Sequence, residues 1–160
     1  MTQDIFIKFK GIAGESQDPV HKDEIEVLNW NWSLSQTSNM HSGSGGGSGK
    51  CTVKDLCFEH YIDKASPNLL QYCLVGKPIS EAILTMRKAG GAPLEYIRIT
   101  LQEIIITQVQ PTGVYNMYGP REDVKLSFAR VKVDYVLQNA LGKSAGTVST
   151  GYDIKRNLLI

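Results

Sequence analysis

Lys50 ends a glycine-serine run, Ser42-Gly43-Ser44-Gly45-Gly46-Gly47-Ser48-Gly49, and a lysine so placed suggests phosphate chemistry. A phosphate-cradling loop needs a glycine five positions before the last one, a hydroxyl residue after the lysine, and a helix behind it. Here those positions hold Ser44 and Cys51, and the residues that follow alternate as a strand would, so nucleotide binding is not expected. The imidazoles are His21, His41 and His60, and no Gly-x-Ser-x-Gly elbow supplies a nucleophile for them to activate. The acidic pairs Asp23-Glu24 and Glu122-Asp123 fall at expected loop edges, where solvation accounts for them. Cys57 and His60, with Cys51 nearby, are the nearest approach to a metal cluster, but no second close pair completes a four-ligand set. The sequence therefore offers no catalytic residue, no metal site and no cofactor site, and the chain is not expected to be an enzyme.

The aromatic pair Trp30 and Trp32 could hold a sugar ring. Leu28 and Leu34 share their parity, however, and this places all four on the core side of one strand. Asn31-Trp32-Ser33 matches the glycosylation acceptor pattern but lies inside that strand. By the same alternation Asn29, Asn31 and Ser33 take the opposite face, which carries short uncharged polar side chains.

These residues belong to a chain of 160 residues with 17 basic and 16 acidic side chains, 42% hydrophobic and 21% charged. Such a chain buries a core, and the expectation is a single domain over 1–160. Near-neutrality argues against a nucleic-acid binder. No apolar stretch reaches the roughly 20 residues that cross a bilayer, so no membrane insertion is expected. The start, Met1-Thr2-Gln3-Asp4, lacks a basic signal-peptide region, which places the chain first in the cytoplasm. Three cysteines without a Cys-x-x-Cys pair make a poor disulfide framework.

Period-two alternation dominates. Ile5, Ile7 and Phe9 oppose Lys8 and Lys10, and further strands are expected over Thr52 to Tyr61, Ala82 to Lys88, Tyr96 to Val109 and Val148 to Ile154. The apolar parity switches near Val27-Leu28 and again between Phe128 and Val131. Both switches predict β-bulges, which bend strands toward a barrel or a folded-over sheet. One helix is expected over 66–75, with Ser66 as cap, Pro67 in its first turn, Gly76 as its stop, and an apolar stripe of Leu69, Leu70, Cys73 and Leu74. The glycine-rich stretch 37–50 reads as an extended loop inside the domain. The fold class is all-β with one side α-helix, a sandwich or small barrel.

Several motifs in order resemble the Hcp family, the haemolysin-coregulated proteins. They are Asp4-Ile5-Phe6-Ile7-Lys8 leading to Gly14-Glu15-Ser16, Trp30-x-Trp32-x-x-Ser35-Gln36, the run ending Gly49-Lys50, and Tyr61-Ile62-Asp63-Lys64-Ala65-Ser66-Pro67-Asn68-Leu69. Arg87-Lys88-Ala89-Gly90-Gly91, Phe128-Ala129-Arg130-Val131-Lys132-Val133-Asp134-Tyr135 and Gly151-Tyr152-Asp153-Ile154 continue the likeness. The resemblance implies a two-sheet β-barrel that assembles as a homohexameric ring. Rings would stack into the inner tube of a bacterial type VI secretion system, within a contractile sheath, on a baseplate and behind a spike-tip protein. The tube would be expelled, carrying effector proteins, and the chain would leave the cell without a signal peptide. It further implies that Asn29, Asn31 and Ser33 line the tube interior. Ser38, Asn39, Met40, His41, Gly43, Gly46, Gly47 and Gly49 would form a ring-stacking loop. The segment 111–123, with Tyr115, Met117, Tyr118 and Pro120, departs from the family's small, glycine-rich pattern. The competing expectation is a monomeric β-barrel that binds a small ligand or glycan, supported by the tryptophan pair and this aromatic segment.

Overall fold

Ile7 and Phe9 are buried while Lys8 and Lys10 are exposed, the alternation that a strand with one covered face imposes. The computed structural model describes residues 3–38, 40, 50–88, 93–116 and 118–160. The elements in order are β1 (Gln3–Phe9), β2 (Ile25–Glu26), β3 (Asn29–Asn31), β4 (Leu34–Ser35), β5 (Thr52–Val53), β6 (Leu56–Tyr61), α1 (Ser66–Val75), β7 (Ile79–Lys88), β8 (Glu95–Thr112), β9 (Arg121–Gln138), β10 (Ser144–Asp153) and β11 (Leu158–Leu159). The expected strands are present, except that the one expected over Thr52 to Tyr61 divides into β5 and β6 in different sheets, and the architecture is all-β with one side helix.

The main sheet has nine strands in the order β11-β10-β9-β8-β7-β1-β2, and β6 branches from β9 to carry β3. β4 and β5 form a separate two-stranded ladder. The ladders do not close into the barrel that the bent strands suggested. Closure comes instead from the covalent chain at Val27-Leu28. The Val27 amide donates to the Ile5 carbonyl at 2.9 Å and the next amide, Leu28, to Glu59 at 2.8 Å. The parity switch there is thus a change of partner strand, from β1 to β6, and not a bulge within one ladder.

The second switch has a related cause. β9 pairs with β6 up to Leu126 and with β10 from Arg130 onward, while its other edge stays on β8 throughout. Phe128 and Ala129, between the two halves, are both buried. Opposite them Glu103 adopts a left-handed backbone, φ 53°, which costs a non-glycine residue about 1–2 kcal/mol. Arg130 at 3.4 Å and Lys155 at 3.2 Å hold its carboxylate, and these cations keep the Glu103 carboxyl below its ordinary range. The register irregularity itself lies in β8, between Ile106 and Gln108.

The core gathers Ile7, Leu56, Phe58, Leu69, Ile104 and Leu126 between the curled strands and the helix. α1 spans the expected residues, but Ala65 occupies the N-cap position and Ser66 lies inside the helix. Asp63 supplies the cap by another route, its carboxylate accepting from the Ala65 amide at 2.9 Å while its own amide donates to Ser66 Oγ at 3.1 Å. Gly76 ends the helix at φ 65°, as its position suggested. The stripe is narrower than expected. Leu69 is buried and Cys73 packs on the core, but Leu70 and Leu74 are exposed.

Of the acidic pairs expected to be solvated, Asp23 is exposed and Asp123 half-buried, but Glu24 and Glu122 are buried against His21 and His60. His21 places Nδ1 2.8 Å from Glu24 and Nε2 2.5 Å from Glu95, its ring stacked on Phe6. His60, fully buried, meets Glu122 at 2.8 Å. Arg87 ties β7 to β1 through Asp4 at 2.9 Å and to the long β1–β2 connection through Asp18. The Arg87 guanidinium holds the Asp18 carboxyl well below the usual carboxylate range, with the Val20 and His21 amides adding to the effect. A depressed folded-state value means that the contribution is complete above the unfolded value, about 4, and disappears as pH falls through the folded one. Between about pH 4 and 2 the parent is therefore expected to lose more stability than Asp18→Asn does, measured by urea midpoints at each pH.

Candidate assembly surfaces

Alternation in β3 places its polar residues as expected. Asn29, Asn31 and Ser33 are exposed, while Trp30 and Trp32 are half-buried against the core. Trp30 Nε1 donates to Met86 Sδ at 3.1 Å, and Trp32 Nε1 to the Lys54 carbonyl at 2.9 Å, so neither indole stands free as a sugar platform. Asn29 Nδ2 donates to Glu59 on the neighbouring strand at 3.0 Å. Leu28 and Leu34 correct the core assignment, because both are exposed. The chain leaves its ladder at Leu28, and Leu34 has already passed into the separate β4–β5 ladder, where the covering core ends.

That exposure has a local purpose. Between the β4–β5 ladder and the faces of β9 and β10 runs an apolar groove of about 410 Å³, lined by Trp32, Leu34, Val53, Val131, Val133 and Leu159, with Cys51 and Tyr152 at its sides. The C-terminal tail forms one rim. Leu158 and Leu159 pair with Asp153 and Tyr152, and the Ile160 amide donates to the Gly151 carbonyl at 3.1 Å. A Cβ at position 151 would lie 3.1 Å from the Ile160 side chain, so glycine lets the tail lie close on β10. Leu34, Leu159 and Ile160 stay largely open, Leu159 at 74%. The strand beside them is unusual too. β10 begins four residues before its expected start, and Ser144 to Thr150 are exposed on both faces. No sequence signal distinguished this half-naked strand, because small and β-branched residues suit covered and open strands equally.

Of the loop residues, Ser38 and Met40 are described and exposed, whereas Asn39, His41, Gly43, Gly46, Gly47 and Gly49 lie outside the described residues. Lys50 is exposed and a strand follows it, as the failed phosphate motif required. The aromatic segment is shorter than its sequence bounds, because β8 runs to Thr112 and β9 starts at Arg121. At its tip Tyr115 is 100% and Tyr118 94% exposed, and the Tyr118 ring lies 5.7 Å from that of Tyr61. Arg121 sits over Tyr61 at 6.0 Å and reaches Glu59 at 3.5 Å.

Among the described residues no group of three or more His, Cys, Asp or Glu side chains is placed to hold a metal ion. The cysteines are free, and burial together with the nearby Asp123 and Glu59 charges pushes the Cys57 thiol up, away from the nucleophilic thiolate. Among the described residues no helix is long and apolar enough to cross a membrane. What the surface does offer is an open apolar groove, a strand exposed on two faces, a neutral polar face and an aromatic tip.

Comparison with known proteins accounts for this combination. The family model described as "Type VI secretion system effector, Hcp" matches residues 6–135. Protein hcp1 of Pseudomonas aeruginosa is 50% identical over 160 residues, covering 99% of each chain. The crystal structure of Hcp1 from Salmonella typhimurium superposes with a TM-score of 0.84 at 50% identity, covering 100% of both chains. A type VI secretion system effector from Yersinia pestis gives a TM-score of 0.78 at 45% identity, over 94% of this chain and 99% of the other. A chain matched over its length in both sequence and fold leaves one assignment, and this protein belongs to the Hcp family of type VI secretion tube proteins.

Proposed function

We propose that the chain closes into a homohexameric ring whose copies stack into the inner tube, and that the groove beside β10 and β11 is a lateral contact of that ring. The observation that carries this reading is the open apolar wall formed by Leu34, Leu159, Ile160 and Val148. Burying each such side chain is worth up to about 1.5–3 kcal/mol, and a single copy leaves that stabilisation unrealised. A ring contact is heterologous, so one patch must meet a different patch on the next copy and close after a fixed number of copies. The naked half of β10 supports the same reading, since an uncharged strand edge is normally shielded in a soluble protein.

Family membership supports the rest. Stacked rings form a tube inside a contractile sheath, mounted on a baseplate and tipped by a spike, and contraction expels the tube with effector proteins. The exposed face of Asn29, Asn31 and Ser33 then lines the channel, where short neutral side chains suit varied cargo. Secretion follows this route and not a membrane-inserted one. A monomeric ligand-binding reading draws on the same groove, whose apolar lining and size would admit a small molecule.

One comparison separates the two. Light scattering after gel filtration is expected to give about six times the 17.7 kDa chain mass for the parent. Leu159→Glu is expected to run as a folded monomer with an unchanged circular dichroism spectrum. A monomeric parent would remove the ring reading and leave the ligand-binding one. A fully hexameric Leu159→Glu would place the lateral contact elsewhere.

Asn31→Arg tests the channel assignment. It disturbs no core packing, so folding and ring formation are expected to persist while long cations from each copy converge in the lumen. Retention of a co-expressed effector is expected to drop relative to the parent, and unchanged retention of several unrelated effectors would exclude Asn31 from cargo contact.

A further inference from the structure

His21 is 5% exposed and sits between two carboxylates, with Nδ1 2.8 Å from Glu24 and Nε2 2.5 Å from Glu95. An ionised carboxylate only accepts, so each ring nitrogen has to donate. Neutral imidazole carries one N–H and cannot serve both. The joint therefore requires the imidazolium, and loss of its proton turns a ring lone pair toward a carboxylate oxygen.

The surrounding charges favour that proton. Asp18, in the same loop, accepts from the His21 amide at 3.2 Å and is engaged by Arg87 of β7, which also holds Asp4 of β1. Arg98 of β8 reaches Glu95 at 3.5 Å. Four carboxylates thus gather around two arginines, and the imidazolium is the third cation. The other charged neighbours, Lys22, Asp23 and Glu26, are exposed. The His21 ring lies on Phe6 with centroids 4.4 Å apart, and the Arg87 guanidinium stands 5.2 Å from the same aromatic ring. A cation gains from such a face where a neutral ring gains less.

What the joint holds is the seam of the domain. β2 is two residues long and pairs with β1 at Phe6 and Ile7 alone. The chain then passes through Val27 and Leu28 from one wall to the other. The loop leading into β2 is stitched to itself, Gly14 to Asp23 and Ser16 to Glu24. Its side-chain ties to the long strands are Asp18 to Arg87 and His21 to Glu95. Of the two carboxylates on His21, Glu95 is 28% exposed against 10% for Glu24, so water takes over Glu95 more readily when a bond is given up.

We propose that His21 is a proton-operated latch: charged, it clips the 14–24 loop to Glu95 and covers Phe6; neutral, it releases Glu95 and lets the loop and β2 open locally. The latch belongs to the single chain and stands whether or not rings form. A joint that needs the charged ring contributes fully where unfolded histidine is charged, below about pH 6.5. Its contribution disappears as pH rises and the folded joint gives up the proton.

Hydrogen exchange of a peptide covering 14–26 in the full-length chain, corrected for the intrinsic pH dependence of amide exchange, reads the latch. Protection in the parent is expected to fall at least about fivefold between about pH 6 and pH 9, the order set by one unmade buried hydrogen bond. A peptide covering Ile99 to Ile106 is expected to keep its protection. In Glu95→Gln the new amide donates to Nε2 of neutral His21 while Nδ1–H serves Glu24, so protection is expected to be equal at both pH values. His21→Gln puts a carbonyl oxygen where one ring N–H stood, and is expected to be weakly protected at both. Nitrogen NMR of the His21 ring is expected to show both nitrogens protonated at about pH 6. The inference is overturned if parent protection is the same at both pH values, if Glu95→Gln loses protection as the parent does, or if the ring is neutral in the closed loop at about pH 6.

Discussion

β9 holds different partners at its two ends along a single edge, and the remaining structure depends on that division of labour. Its first half carries β6, and through it β3; its second half carries β10 and β11; β8 lies along the whole of the other edge. A strand cannot give one edge to two neighbours without a gap between them. The gap falls at Phe128-Ala129, where both side chains are buried and Glu103 across the ladder takes a left-handed backbone. The bend so produced turns one pair of long strands into two walls. Between those walls the core closes around Phe58, Leu56 and Leu126, with α1 covering it.

The same division leaves the molecule unfinished. Core residues are concentrated where β6, β1 and the helix cover the sheet, and the second half of β9 has, besides β8, only β10 and the thin β4–β5 ladder beside it. Val131 and Val133 therefore look into a groove, Tyr135 and Leu137 become exposed, and β10 shows both faces along most of its length. A soluble monomer under pressure to stay monomeric would charge or cover such a wall. In the proposed ring, the next copy would supply the missing layer. Buried His21, His60 and Arg87 joints pin the covered strands to one another. His21 ties the loop before β2 to Glu95 at the start of β8, His60 ties β6 to β9, and Arg87 ties β7 to β1.

Much of this was legible in the amino-acid order. Alternation located every long strand, Gly76 marked the helix end, and the parity switches at Val27-Leu28 and Phe128-Val131 marked real events. Their meaning was not legible. A parity switch records that a chain changes the face it buries, and a bulge and a change of partner strand leave the same trace. Leu28 and Leu34 were assigned to the core because alternation identifies which residues share a face but not whether anything covers it. The joints of His21 and His60 were not legible because their carboxylate partners Glu95 and Glu122 are remote in sequence, and only the fold brings them within hydrogen-bonding distance. The neutral face of Asn29, Asn31 and Ser33 was readable because it needs alternation and nothing more. The groove escaped notice because its walls come from four separate strands and a tail.

The central claim is that the second half of β9, with β10 and the tail, is completed by another copy of the same chain. Amide hydrogen exchange of peptides covering 144–150 and 157–160 tests it most directly, compared between the parent at assembling concentration and the same protein diluted until it dissociates. The account predicts slow exchange in the assembled sample that becomes fast on dilution, while peptides from the buried strand β6 stay protected in both. Fast exchange of both open segments in a sample that light scattering shows to be assembled would contradict it.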